Sequence, residues 1–172
     1  MIVRALDPAS RDEAEIGRTL VVEYLEATIA ESETYGEPVP RALTRSLFPE
    51  AYDFAEVYAN HGFAYHVAES EGRVAGGVGL KPLHLTGDLD ATCEMKRMWV
   101  RPEFRRRGAA RALAEALVDH ARRLGYREMV LDVVAHRTAA IALYRDLGFR
   151  ECAPTREYPF PMVFLSRPLA GP

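Results

Sequence analysis

A chain of 172 residues, 48% apolar and 27% charged, has the composition of a globular protein and the length of one domain that can bury a sheet between helices. Its formal net charge of −3 supplies no general attraction to nucleic acid or anionic lipid, so an anion site has to be built locally from clustered cations. No apolar run approaches the ~20 residues that span a bilayer, and MIVRALDPAS at the start lacks an apolar signal stretch, so a cytoplasmic protein without membrane partners is expected.

Residues 2–6 read as a short strand, and Ser10 with Glu13 has capping-box spacing for a helix whose apolar stripe is Ile16, Leu20 and Tyr24. That helix is expected to fade near Glu31, because SETYGEPVPR gathers Ser, Thr, Gly and two prolines and reads as a loop. A weaker helix covers residues 54–60. Residues 63–68 and 74–80 form a hairpin through Ser70-Glu71-Gly72-Arg73.

After a loop around Thr86-Gly87-Asp88, residues 93–100 alternate as a strand that Pro102 ends. The strongest helical pattern runs over residues 108–124, with Ala110, Leu113, Ala114, Leu117, Ala121 and Leu124 on one face and Gly125 as the stop. Residues 129–134 are almost continuously apolar apart from Asp132 and belong in the centre of the sheet. Thr138 reads as the cap of a helix presenting Ala140, Leu143, Tyr144 and Leu147, and residues 149–152 and 162–165 close the sheet. This order implies a single α/β domain over 1–172, a mixed sheet with helices on both faces and no repeat or linker.

The segment VRPEFRRRGAARAL at 100–113 places a strand end, a basic turn and a helix start in succession. A helix N-terminus carries unpaired N–H groups and about half a positive charge, so such a turn can wrap a pyrophosphate where Gly108 lets the backbone come close. Arg105, Arg106 and Arg107 would add charge-assisted hydrogen bonds, although not all three can point inward. Taken alone, such a triplet is more often a solvated charge run; its place after a strand favours a site. The turn lacks the Gly-Lys-Ser/Thr of a P-loop and the G-x-G-x-x-G of a dinucleotide fold.

Arg105, Gly108 and Ala110 match the Arg/Gln-x-x-Gly-x-Gly/Ala signature, EMKRMWV at 94–100 looks like the strand before it, and AIALYRDLGF at 140–149 looks like a later helix. In these three motifs the chain resembles the GNAT superfamily of N-acetyltransferases, well over 63–165 and weakly before. The resemblance implies a mixed, mostly antiparallel central sheet with helices on both faces, and acetyl-CoA as donor. It also implies transfer to a primary amine by direct attack in a ternary complex.

The resemblance further implies that the fourth and fifth strands part to admit the cofactor arm, held by backbone groups of Met98 and Val100 with Trp99 between them. Arg105, Arg106, Arg107, Gly108, Ala109 and Ala110 would hold the phosphates, and Tyr144 would protonate the departing thiolate. Glu94 becomes the first candidate for the base, a structural Glu being an equal reading. Many members have an asparagine where this chain has Arg137, so a different contact, to phosphate for example, is expected there.

Cys93 and Cys152 read as reduced packing residues, and a Cys93 acetyl-enzyme route ranks low because no histidine base is paired with it. His61, His66, His84, His120 and His136 show no metal-binding spacing, so no metal is expected. The acceptor stays open among a small-molecule amine, an amino acid and a peptide. Glu31, Glu33 and Glu37 are either an attraction for a cationic amine or a solvated loop. A homodimer is compatible with the sequence. A non-catalytic acetyl-CoA/CoA-binding regulatory module is the alternative reading, and a nucleic-acid binder using the Arg triplet is the third.

Overall fold

The computed structural model describes residues 1–36, 38–83 and 92–169. Seven strands form one sheet: β1 (Ile2–Ala5), β2 (Ala64–Ser70), β3 (Arg73–Pro82), β4 (Thr92–Val100), β5 (Glu128–Val134), β6 (Arg150–Glu151) and β7 (Met162–Pro168). Their order is β1-β2-β3-β4-β5-β7-β6, and every neighbouring pair is antiparallel except β4 with β5. The helices are α1 (Arg11–Thr34), α2 (Thr44–Leu47), α3 (Phe54–Tyr58), α4 (Ala109–Arg123) and α5 (Thr138–Asp146). Because α4 lies between the two parallel strands, the chain crosses over the sheet and enters that helix through a short turn at Pro102–Phe104 and the basic segment that follows it.

Alternation along the strands divides the core between two faces. On one, Leu113, Leu117 and Ala121 of α4 and Ile141 and Tyr144 of α5 pack on Val78, Leu80, Met129 and Leu131. On the other, Leu20, Val21 and Leu25 of α1 and Phe54 and Tyr58 of α3 pack on Tyr65 and Val67. Leu113 and Leu117 are completely buried, so truncating either to alanine should cost ~2–5 kcal/mol.

Several local expectations are corrected. Ser10 stands at the N-cap of α1 but its hydroxyl caps nothing, because Glu13 is drawn to Arg4 of β1 at 2.8 Å and accepts the Asp7 N–H at 2.6 Å. The helix continues past Glu31 to Thr34, with the Ser32 and Thr34 hydroxyls donating to the carbonyls of Ile29 and Ala30 within it and so not competing for the helix's own N–H groups. Short turns at Arg41–Leu43 and Pro49–Ala51 flank α2 and were invisible to periodicity at such lengths. Leu124 is 44% exposed rather than on the buried face of α4, which is completed by Ala109 and Val118. Arg137, not Thr138, takes the N-cap position of α5. Glu37, His84 and the Thr86-Gly87-Asp88 loop lie outside the described residues. Among those described, no helix is long and apolar enough to cross a membrane.

Candidate active site

The two parallel strands pair only at their beginnings, through Thr92↔Glu128, Cys93↔Met129 and Glu94↔Val130. On its other edge β4 stays paired with β3 as far as Val100↔Gly76. The cause is a bulge: from Gly77 to Gly79 β3 advances two positions while β4, opposite, passes three, from Trp99 to Lys96. An extra residue bends and twists its own strand, here away from β5. Arg97 absorbs the distortion at φ 56°, a left-handed conformation unusual for a non-glycine residue.

Buried contacts fix that residue. The Arg97 guanidinium donates to Glu50 at 2.6 Å and to the Leu47 carbonyl, and lies 4.1 Å from the Phe48 ring centroid. Glu50 is fully buried and also takes Lys81 at 2.9 Å. Burial pushes the Glu50 carboxyl up, but Arg97 and Lys81 outweigh it and hold it below the usual carboxylate range. The short turns before α3 thus clamp the bulge that opens the fork.

A cleft of about 910 Å³ extends from the fork. Met98, Trp99 and Val100 form one wall, the start of α5 another, and Tyr24, Thr28 and Glu31 of α1 a third. At its far end the turn carrying Arg105, Arg106, Gly108, Ala109 and Ala110 opens into it, while Arg107 is not among the lining residues. Gly108 is the N-cap of α4 at φ 84°, and a Cβ built on it meets nothing within 4 Å. The first intrahelical bond is Ala112 N–H to the Gly108 carbonyl, so the N–H groups of Ala109, Ala110 and Arg111 have no partner within the helix.

The arginines of the turn behave differently from one another. Arg105 lies 4.9 Å from the Trp99 ring centroid and donates to the Val100 carbonyl at 3.0 Å, occupying one of the β4 backbone groups expected to hold the cofactor arm. Arg106 adopts φ 59°, and neither it nor Arg107 forms an ion pair among the described residues. Both remain available to an anion.

Two tyrosines meet where this cleft joins a smaller cavity of about 140 Å³ at the base of the fork, and both line both spaces. Tyr144 is 6% exposed, its hydroxyl has no hydrogen-bond partner among the described residues, and burial followed by the proximity of Tyr24 pushes its phenol well above the ordinary value. It therefore stays protonated and free to donate. Arg137 also lines both spaces, but it is turned to α1: Glu31 accepts from its Nε at 2.7 Å, Thr28 Oγ1 lies at 3.3 Å and the Tyr24 hydroxyl at 3.5 Å. The Glu31 carboxylate is thus the partner of this guanidinium in the structure.

Glu94 falls elsewhere than expected. It lies in the section of β4 still paired with β5, is 4% exposed and lines neither space. Its carboxylate meets Arg156 at 2.7 Å and Lys96 at 3.1 Å, and Lys96 also meets Asp132 at 2.9 Å. Tyr158 donates to Asp132 at 2.8 Å. The cluster ties the 152–161 loop to the base of the fork.

Cys93 is buried, and burial pushes its thiol up to about 12, so it holds no thiolate at neutral pH. Among the described residues no three His, Cys, Asp or Glu side chains converge as metal ligands do. Glu31, weighed in the sequence as an attraction for a cationic amine, lines the cleft, and the residues that sequence reasoning missed there are Tyr24, Thr28 and His136, the last lying 2.9 Å from Glu31 and stacking on Tyr35 at 3.7 Å. For Tyr24 and Thr28 the signal was the i, i+4, i+7 spacing with Glu31 on one face of α1.

A profile of the acetyltransferase (GNAT) family matches residues 25–149. The chain is 40% identical over 101 residues to the uncharacterized N-acetyltransferase YjgM of Escherichia coli, covering 59% of each protein. It is 31% identical over 116 residues to human N-acetyltransferase 8, covering 67% of this chain and 51% of that protein. The match thus spans only between half and three fifths of these two relatives. Among solved structures, yncA of Salmonella typhimurium, a putative acetyltransferase with its cofactor acetyl-CoA, superposes with a TM-score of 0.66 at 24% identity, covering 98% of this chain and 94% of that one.

Proposed function

The chain belongs to the acetyltransferase (GNAT) family, and on that premise we propose that it transfers an acetyl group from acetyl-CoA to a primary amine by direct attack in a ternary complex. The observation that carries the reading is the β4–β5 fork opening onto a cleft that ends at the Gly108 turn. An extended thiol arm fits the fork because β4 beyond Glu94 has no strand partner on the β5 side, which leaves the Met98 backbone able to bond to it as to an added strand, while Arg105 would have to release the Val100 carbonyl for that group to join. A pyrophosphate fits the turn because Ala109, Ala110 and Arg111 line the cleft and their N–H groups have no partner within α4.

Arg106 is the cation nearest that task by placement. Arg107, outside the lining, suits a more peripheral phosphate. Tyr144 supplies the proton that the departing thiolate needs, and its unengaged hydroxyl supports catalysis over a non-catalytic CoA-binding module. Glu94 is reassigned from base to anchor: two cations hold it away from the cleft. Acceptors in this reading are amines, amino acids or peptide N-termini. Incubation with acetyl-CoA and each class, followed by thiol release, tests it. Release that depends on an amine supports transfer, and tight CoA binding with no release under any acceptor rejects it in favour of the binding module.

A further inference from the structure

Within the proposed transfer reaction, we propose that Tyr24 of α1 is the catalytic base that takes the proton from the attacking amine. Its side chain lines both the cleft and the small cavity at the base of the fork, on the opposite wall from Tyr144. It is thus a titratable residue that faces the same space as the acid without being held in a buried ion pair.

The surroundings of the two phenols differ in kind. Around Tyr24, Arg137 donates from 3.5 Å, the Arg137 and Arg97 guanidinium carbons lie 5.7 Å and 6.0 Å from its ring centroid, and Lys96 projects from the same strand as Arg97. Burial pushes the Tyr24 phenol up, but Arg137, Arg97 and Lys96 together outweigh it and hold it below the ordinary tyrosine value. Other charged or titratable groups facing this space are Asp132 on β5, His136 before α5, Tyr144 on α5, Glu31 on α1 itself and, towards the far end of the cleft, Arg105, Arg106 and Arg111. Glu31 is committed to Arg137 and His136, and Asp132 to Lys96 and Tyr158, so neither acid is free to take a proton. Two titratable groups across one site with pKa values driven apart are an acid–base pair.

The proton count closes. The amine nitrogen bonds to the thioester carbonyl carbon, the Tyr24 phenolate receives the nitrogen's proton, the carbon–sulfur bond breaks, and the sulfur receives the Tyr144 proton. The products are an amide and a neutral thiol, and solvent returns the proton from Tyr24 to Tyr144. Phenolate at Tyr24 is stabilised by the three cations, which also keep an incoming amine from competing as a cation.

Two measurements test this on the whole chain. Near-ultraviolet phenolate absorbance, titrated against pH without any acceptor, should show one of the eight tyrosines ionising ahead of the rest. That step should vanish in Tyr24→Phe. Single-turnover acetylation of phenethylamine, aspartate and a glycine-terminated peptide should then slow by ~10²–10⁴-fold in Tyr24→Phe, with loss of the wild-type ascending pH limb. Acetyl-CoA affinity should hold. Should Tyr24→Phe fold poorly, 3-fluorotyrosine at position 24 keeps the contacts and should move the limb to lower pH. A wild-type titration with no early tyrosine, an early step that persists in Tyr24→Phe, or an unmoved limb overturns the assignment. Absence of turnover with every acceptor defeats the transferase reading instead, and the absorbance titration still decides whether Tyr24 is the poised phenol.

Discussion

Replacing Gly108 separates the fold from the anion site, because the structure lets the two costs be worked apart. The residue sits at φ 84°, so any side chain there bears the left-handed penalty of ~1–2 kcal/mol. Nothing lies within 4 Å of the new Cβ, so the free protein gains no clash and should remain folded. With a phosphate in the turn, Gly108→Glu sets a carboxylate against it. Two like unit charges ~4 Å apart repel by ~4 kcal/mol at an effective dielectric near 20, equivalent to ~10³-fold in affinity. Gly108→Ala lacks that charge and should lose less. Calorimetric titration with CoA measures both variants, and thermal unfolding by circular dichroism checks the small stability loss. A folded Gly108→Glu protein that binds CoA with wild-type affinity would refute the placement of the pyrophosphate.

Tyr144→Phe should leave acetyl-CoA affinity nearly unchanged while lowering the single-turnover rate by ~10²–10⁴-fold; a wild-type chemical rate would make the residue a core aromatic alone. Glu94→Gln should lower stability by about 1–3 kcal/mol in denaturant titration, because the acceptor 2.7 Å from Arg156 loses its charge and leaves that guanidinium only Asp132 at 3.8 Å, while Lys96 keeps Asp132. The pH limb of turnover should not move, and its loss would restore Glu94 as the base. His66 is 4% exposed, pairs with His120 at 3.1 Å and is pushed down to about 4 by burial first and then by His120 and Arg123. A folded pKa below the unfolded ~6.5 means that its neutral form stabilises the fold above pH ~6.5, and that this contribution fades as pH falls through about 4. His66→Gln should therefore show a shallower loss of stability than wild type between those limits; parallel curves would contradict the buried neutral histidine.

Where local pattern and tertiary burial agree, the chain was legible. The α4 face, the hairpin of β2 and β3, and the Gly108 turn follow from period, turn residues and an αL position that only a glycine fills without strain. Arg105, Gly108 and Ala110 could be placed because neighbours in sequence remain neighbours in a turn. Residues brought together from afar were not. Glu31 and Arg137 are separated by 106 positions and Glu50 and Arg97 by 47, and no periodicity encodes either pair. The bulge at Arg97 was equally silent, since its cause is a buried carboxylate on a different segment. That one extra residue also sets where the fork opens, after Glu94 and not at it.

Initial rates with acetyl-CoA and an amine varied together, combined with intact-protein mass after acetyl-CoA alone, decide whether transfer is direct within a ternary complex. Direct attack predicts double-reciprocal lines that intersect, an acetylated amine among the products and an unmodified protein mass. Parallel lines with an acetylated protein would instead require a covalent intermediate and contradict direct attack.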